Sequence, residues 1–209
     1  MIELLFATGN PAKLAQLSFV VETLHTPIKV VSAHDIYGAA ALYAESGGSA
    51  AAIARNGALA VASRIGRPVV TEDTTLHVTA LDGKPGTDAG FYLKEHGRDG
   101  LLQDLAGVTQ RAATITSAVA WASPSGDTQT WTTTVSGEIA LVERWQRGLP
   151  DWIAPTPENP AGGGYNAIFI PTGSNCTMAQ ISLNESFAWG YREPNFCALL
   201  AFMLEREPV

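Results

Sequence analysis

Apolar and polar positions in this chain fall into runs whose period switches between that of a strand and that of a helix. Residues 2–7 form a short apolar run rich in branched and aromatic side chains, which predicts a buried strand. Asn10 is a good helix N-cap and Pro11 suits the first helical position. Leu14, Leu17, Val21 and Leu24 follow at helical spacing, so a helix starts there. A second strand is predicted over residues 28–31. An Ala-rich helix is predicted over residues 47–65, where Ala50, Ile53, Ala54, Gly57, Ala58 and Val61 keep to one face. So many small residues imply tight packing against a sheet. Residues 68–70 make a short apolar strand that ends in Thr71-Glu72-Asp73-Thr74-Thr75-Leu76. Leu76, Val78 and Ala80 then alternate with His77 and Thr79 as a half-buried strand, and residues 81–86 break into a loop.

The second half continues in the same way. Residues 91–105 carry a helical pattern interrupted by Gly97, and residues 111–122 alternate as a long strand. Ser123-Pro124-Ser125-Gly126-Asp127 reads as a turn into a Thr-rich partner strand over residues 128–139, a long antiparallel hairpin. Residues 149–164 hold Pro150, Pro155, Pro157 and Pro160 and end in three glycines, a loop long enough to point to function. A short strand over residues 167–171 precedes a last helix opened by Glu193-Pro194, with Phe196, Leu199, Leu200 and Met203 as its buried stripe. No internal repeat or domain boundary is visible, so one domain over residues 1–209 is expected.

Composition narrows the partners. The chain has 209 residues, of which 46% are hydrophobic and 16% charged, with a formal charge of -7. That balance argues against a nucleic-acid polymer or an anionic membrane as the main partner, because both are held by basic patches. Cys176 and Cys197 are too few and too far apart for a zinc site or a disulfide framework, which points to a reducing compartment. The N-terminus shows no basic segment before an apolar core, and no apolar run approaches the roughly 18 residues that span a bilayer. A soluble cytoplasmic protein is expected.

Three stretches carry candidate chemistry. Two adjacent acids at the end of a buried strand place oxygens where Mg²⁺ is presented to phosphates, and the bland alternative is a polar turn between two strands. The turn Thr8-Gly9-Asn10-Pro11-Ala12-Lys13 sets a helix N-terminus behind a strand end, with Lys13 one turn in. It is either a phosphate cradle or a well-capped helix with a solvated lysine. Glu45 precedes the Ala-rich helix, where it either caps that helix or reaches a metal, capping being the default. Other chemistries fall away. Gly162-x-Gly164-x-x-Ala167 lacks the following helix that a dinucleotide motif needs. The four histidines are scattered, and neither a Gly-x-Ser-x-Gly elbow nor a Cys/His pair is present.

Taken together and in order, these pieces resemble the inosine triphosphate pyrophosphatase family, which hydrolyses aberrant purine nucleoside triphosphates to monophosphate and pyrophosphate. The matching stretches are Thr8 to Lys13, Glu45, Glu72 to Leu76, Ala80 to Gly86, Gly164-Tyr165-Asn166-Ala167-Ile168-Phe169-Ile170-Pro171, Thr177-Met178-Ala179-Gln180 and Arg192. They span nearly the whole chain; each is weak singly, and the ordered set is fairly specific. The resemblance implies an α/β fold with a long mixed β-sheet and flanking helices forming two lobes around a central cleft, and a homodimer. It implies that Thr8, Gly9, Asn10 and Lys13 hold the triphosphate, with Thr74 donating to a phosphate oxygen. Glu45 and Asp73 would hold Mg²⁺ with Glu72 beside them, and Asp73 would orient or deprotonate the attacking water. Gly164, Tyr165, Asn166, Tyr191 and Arg192 fall at the remaining substrate positions.

The departures cluster at the base. The family's aromatic-Gly-aromatic-Asp-Pro run is replaced by Gly163-Gly164-Tyr165-Asn166-Ala167, and its Ser-His-Arg by Gly190-Tyr191-Arg192. The lysine expected in the second long helix is not evident around residues 56–60, and another falls near Ser186. The expectation is a competent hydrolase of altered base selectivity, with Tyr191 supplying some of the missing aromatic surface. The alternatives are an idle nucleotide-binding protein on the same fold and a module for another phosphorylated metabolite.

Overall fold

Parallel strands buried on both faces read as unbroken apolar runs. Strand β1 (Ile2–Phe6) is one, with Leu4, Leu5 and Phe6 all buried. In the computed structural model, which describes residues 1–206, it pairs in parallel with β2 (Ile28–Ser32) and with β3 (Val69–Val78). The remaining strands are β4 (Pro85–Gly86), β5 (Ala112–Ala122), β6 (Thr128–Ile139) and β7 (Phe169–Pro171). They form one mixed sheet in the order β2-β1-β3-β5-β6-β7, with β4 antiparallel on β3 and β7 antiparallel on β6. The expected β5–β6 hairpin is present. It is closed by Ser123 N donating to Asp127 O at one end and Ile139 N donating to Arg111 O at the other.

The helices are α1 (Pro11–Thr23), α2 (Ala33–Tyr37), α3 (Ala50–Ile65), α4 (Ala89–Asp104), α5 (Ser186–Trp189) and α6 (Glu193–Arg206). Among the described residues, no helix is long and apolar enough to cross a membrane. The chain divides into two compact units. The first comprises Met1–Asp73, Ser117–Thr133 and the stretch from Arg192 on; the second comprises Thr74–Thr116 and Thr134–Tyr191.

In the first unit, α1 begins as expected, with the Asn10 side chain accepting from Ala12 N at 2.9 Å and Pro11 following the cap. Its buried face is Gln16, Leu17, Val20 and Val21, while Leu24, expected in the stripe, is the C-cap and is exposed. Helix α3 starts at Ala50 and not at residue 47, because Ser49 caps it by accepting from Ala52 N. Glu45 is therefore not the cap. The small residues Ala50, Ala54, Ala58 and Ala62 pack with Leu5, Val69, Ala118 and Ala120 in one core. Phe6 meets Phe196 of α6 edge-on at 6.2 Å between ring centres.

The reading of residues 68–80 needs correction. Glu72 and Asp73 do not end a strand at a sheet edge, nor do they lie in a turn. They lie inside β3, a single ten-residue strand flanked by β1 and β5, and the stretch Thr79–Leu81 is a helical turn that ends the run early. Thr71, Thr74 and Thr75 are β-branched and favour the extended backbone on either side of the acids. Glu72 tolerates the interior because Lys13, Arg192 and the Ser117 hydroxyl compensate its charge.

In the second unit, Leu76, Val78, Leu101, Leu105, Ile115, Ile168 and Phe169 form the core, with Tyr165 and Tyr191 packed among them. Helix α4 begins at Ala89, two residues earlier than expected, and breaks at Gly97, which adopts φ 66° and ψ -173°. Strand β7 is shorter than expected, with Ala167 and Ile168 in the turn before it. The loop over residues 149–164 lacks helix and strand. It is tied down by the buried Arg98, whose guanidinium donates to the carbonyls of Pro160, Gly162 and Gly164 and pairs with Glu143 at 2.9 Å.

Candidate active site

Two parallel strands bring the phosphate candidates to the acids. Ala7 N donates to Val70 O and Phe6 stands in register with Val70, so β1 ends two residues short of the level of Glu72. The turn Thr8-Gly9-Asn10 and the N-terminus of α1 open there, at the carboxyl ends of parallel strands, where α/β sheets bind ligands. Thr8 Oγ1 accepts from Asn10 N at 3.1 Å, which holds the turn.

Successive strand residues face opposite sides of a sheet. Thr71 donates its hydroxyl to Ala54 O of α3, so Thr71 and Asp73 share the α3 side. Glu72 faces the other way, toward α1 and α6. Its carboxylate is fully buried, with Lys13 Nζ at 2.7 Å and Arg192 Nε at 3.0 Å. Lys13 also reaches the Glu72 backbone carbonyl at 3.2 Å, and the Ser117 hydroxyl donates to Oε1 at 2.8 Å. Two cations and a hydroxyl thus offset the cost of burying this charge. Arg192 continues to Gln16 Oε1, and Gln16 donates to the buried Glu193 at 2.8 Å. Burial pushes the Glu193 carboxyl above the usual range, with Gln16 and Arg192 opposing.

On the α3 side, Asp73 is buried and Glu45 is exposed. Both act on the Tyr43 hydroxyl. Burial first, and then the charges of Glu45, Glu72 and Asp73, raise that hydroxyl well above its ordinary value. Among the described residues, no group of three or more His, Cys, Asp or Glu side chains forms a ready metal cage. A pair of carboxylates completed by substrate phosphates and waters is how Mg²⁺ is commonly bound, so Glu45 and Asp73 suit a hard cation that arrives with its anion.

In the second unit, Thr74 is half-buried on β3. Asn166 is buried with its amide committed: Nδ2 donates to Ile153 O at 3.1 Å and Oδ1 accepts from the Tyr191 hydroxyl at 3.2 Å. The rings of Tyr191 and Tyr165 are only 5% and 7% exposed, and the Tyr165 hydroxyl is spent on Ala89 O. Tyr191 therefore does not offer the open aromatic surface expected of it. Gly163 adopts φ 70°, and a Cβ there would overlap the carbonyl of Ile153, so this backbone has no room for a side chain. A groove of about 1110 Å³ lies beside Leu93, Arg98, Trp145 and Pro157. None of the candidate substrate residues lines it.

The Ham1 family model matches residues 4–202. The chain belongs to the Ham1 family. It is 31% identical over 207 residues to a dITP/XTP pyrophosphatase of Pyrobaculum aerophilum, covering 96% of this chain and 95% of that one. It is 30% identical over 213 residues to a dITP/XTP pyrophosphatase of Parasynechococcus marenigrum, with 100% of both chains covered. The solved HAM1 protein of Coxiella burnetii superposes with a TM-score of 0.77 at 21% identity, covering 98% of this chain and 100% of that one, which supports the fold. The family resemblance drawn from the ordered motifs is borne out.

Within the Ham1 fold, several residues that matter to the site carry no motif. Tyr43, Gln16, Ser117, Glu193 and Asn195 were not singled out. Gln16 and Asn195 are polar residues on otherwise apolar helix faces, a signal that marks a buried network. Asn195 donates to Ser117 O at 3.0 Å and accepts from the Thr133 hydroxyl at 2.8 Å. Arg98 had a weaker signal, a lone cation next to a helix-breaking glycine.

Proposed function

We propose that this chain, acting as one functional domain over residues 1–209, hydrolyses a nucleoside triphosphate to the monophosphate and pyrophosphate. The observation that carries this reading is the buried acid pair Glu72 and Asp73 inside β3, beside the end of β1 and the capped N-terminus of α1, whose Lys13 lies 2.7 Å from the Glu72 carboxylate. Glu45 and Asp73 would hold Mg²⁺, which would supply neutralisation of phosphate charge and polarisation of the phosphorus toward attack. Asp73 takes the proton from a water whose oxygen bonds to the α-phosphorus, while the bond to the β-phosphate oxygen breaks and pyrophosphate leaves. Thr8, Gly9, Asn10, Lys13 and Thr74 hold the triphosphate. Glu72 differs from its expected role: turned to the opposite face and paired with Lys13 and Arg192, it positions those cations and leaves the metal to the other two acids.

Base selectivity in this reading is altered from inosine and xanthosine. A pocket discriminates strongly when a wrong base leaves its hydrogen-bonding groups unpaired. Asn166 and Tyr191 already satisfy each other, and Gly163 carries no ring. They have little left with which to penalise a wrong base, so Gly164, Tyr165, Asn166 and Tyr191 shape the site more than they read it. The protein works as a cytoplasmic homodimer. The test is pyrophosphate release with Mg²⁺ from ITP, XTP, ATP, GTP, CTP, UTP and their deoxy forms. A preference for ITP and XTP of about a hundredfold or more over every other base, near 2.7 kcal/mol, refutes the altered selectivity. An enzyme inert on the whole panel refutes the hydrolase.

A further inference from the structure

Glu72 is held by more than its two cations. The Thr133 hydroxyl of β6 donates to Asn195 Oδ1 at 2.8 Å, and Asn195 Nδ2 donates to Ser117 O at 3.0 Å, with Ser117 Oγ at 3.4 Å. The Ser117 hydroxyl donates in turn to Glu72 Oε1 at 2.8 Å. Asn195 and Ser117 are both buried. A main-chain carbonyl only accepts, so the bond to Ser117 O fixes which end of the Asn195 amide faces β5. An amide N–H turned toward Ser117 Oγ meets that oxygen as an acceptor, which leaves the single hydroxyl proton for Glu72. Asn195 thereby sets the direction of the whole relay.

The relay ends on α1. Ser117 and Arg192 hold Glu72 Oε1, and because a carboxylate is planar and rigid, its other oxygen is turned to Lys13 Nζ at 2.7 Å. Lys13 Nζ also donates to Glu72 O at 3.2 Å. An ammonium has three N–H groups. One goes to that carbonyl and the carboxylate draws a second; the third has no partner among the described residues, and the side chain keeps 17% exposure. Resting on the hydrolase reading above, which gives Lys13 to the triphosphate, we propose that Asn195 is a positioning residue for the substrate. By orienting the Ser117 hydroxyl it locks Glu72 against Lys13, and the locked ammonium presents its remaining N–H to a phosphate oxygen. A loose lysine loses the freedom of a flexible four-carbon stem each time it binds, whereas a pinned one has lost it beforehand. Asn195 acts wholly through Ser117 and Glu72.

The test uses Asn195→Leu, Ser117→Ala and the two combined, with folding verified by melting temperature and far-UV circular dichroism. Should Asn195→Leu not fold, Thr133→Val, which removes only the donor to Asn195 Oδ1, takes its place. Calorimetric titration with inorganic triphosphate and Mg²⁺ is expected to show binding about 5- to 10-fold weaker in each single variant, the scale of one hydrogen bond. The double variant is expected to bind no more weakly than the singles, because both changes act along one path. The ammonium signal of Lys13 in ¹⁵N NMR, told apart from those of Lys29, Lys84 and Lys94 by its loss in Lys13→Met, is expected to broaden in the variants as the lysine is released to water. A merely structural Asn195 lowers the melting temperature and leaves the affinity and the Lys13 signal unchanged, which overturns the proposal. Losses that add in the double variant overturn it too. A wild type that binds triphosphate but hydrolyses no nucleotide of the panel removes the hydrolase reading alone; one that binds no triphosphate removes the phosphate role of Lys13 and this proposal with it.

Discussion

Replacing Glu72 by glutamine separates the two roles open to that residue. Glutamine keeps the volume and leaves an amide oxygen for the Ser117 hydroxyl, so no cavity forms and only the charge is lost. The carboxylate is 0% exposed, and the cations it pairs are 17% exposed at Lys13 and 13% at Arg192. Breaking a buried pair by neutralising one member costs about 3–5 kcal/mol, because the remaining charge is stranded. Two cations are stranded here, but each keeps some solvent, so the estimate stays at about 3–5 kcal/mol for the site. For a chain of this length each kcal/mol is worth about 2–4 °C, which puts the expected fall in melting temperature at about 6–20 °C. Urea unfolding followed by far-UV circular dichroism at neutral pH measures it, and a cycle with Lys13→Met recovers part of the loss if the two charges are coupled. A loss below about 1 kcal/mol, the scale of exposed pairs, refutes the argument that Glu72 is a buried charge hub.

Three further predictions follow from other parts of the structure. Asp73→Asn is expected to keep the fold and lose about a thousandfold or more in turnover, measured as pyrophosphate release at saturating Mg²⁺, and a variant keeping a tenth of the rate contradicts the role of Asp73. Arg98→Met strands three loop carbonyls and Glu143, so it is expected to cost about 2–4 kcal/mol and to open residues 149–164 to limited proteolysis; an unchanged cleavage map argues against the tether. Glu193 has its carboxyl raised by burial, so its folded form favours the proton. Its stability contribution is complete below the ordinary carboxyl pKa and is lost as pH rises through the raised value. Glu193→Gln, which preserves the acceptor for Gln16, is expected to gain stability over wild type at pH 8 and to lose that advantage by pH 4, as read from urea midpoints.

Local chemistry is what the sequence made legible. Asn10 and Pro11 predicted the start of α1 because a cap acts within three residues, and Ser123 to Asp127 predicted a hairpin turn for the same reason. Gly97 warned of a break in α4, and the break is there. The misreading of β3 has a physical cause. An apolar run that meets two acids looks finished, since a buried carboxylate is costly unless compensated. The compensation is remote: Lys13 lies 59 positions and Arg192 120 positions away from Glu72. No local window contains it. The expected open ring at Tyr191 failed similarly, because burial is set by β-sheet neighbours and by a loop whose course depends on Arg98.

The distance in sequence between Glu72 and Arg192 also bears on how the chain is made. A ribosome emits β1, α1 and β3 early, and Glu72 waits with Lys13 alone while more than a hundred further residues are added. The first unit is assembled from the beginning, middle and end of the polypeptide. Its acidic strand cannot be fully neutralised until α6 has emerged and docked. That unit cannot be completed before Arg192 and the helix behind it have emerged, and a nascent or truncated chain lacking them presents a buried-type carboxylate still seeking its second cation. The last helix acts as the closing step of assembly, an arrangement that keeps incomplete chains from reaching the finished first unit.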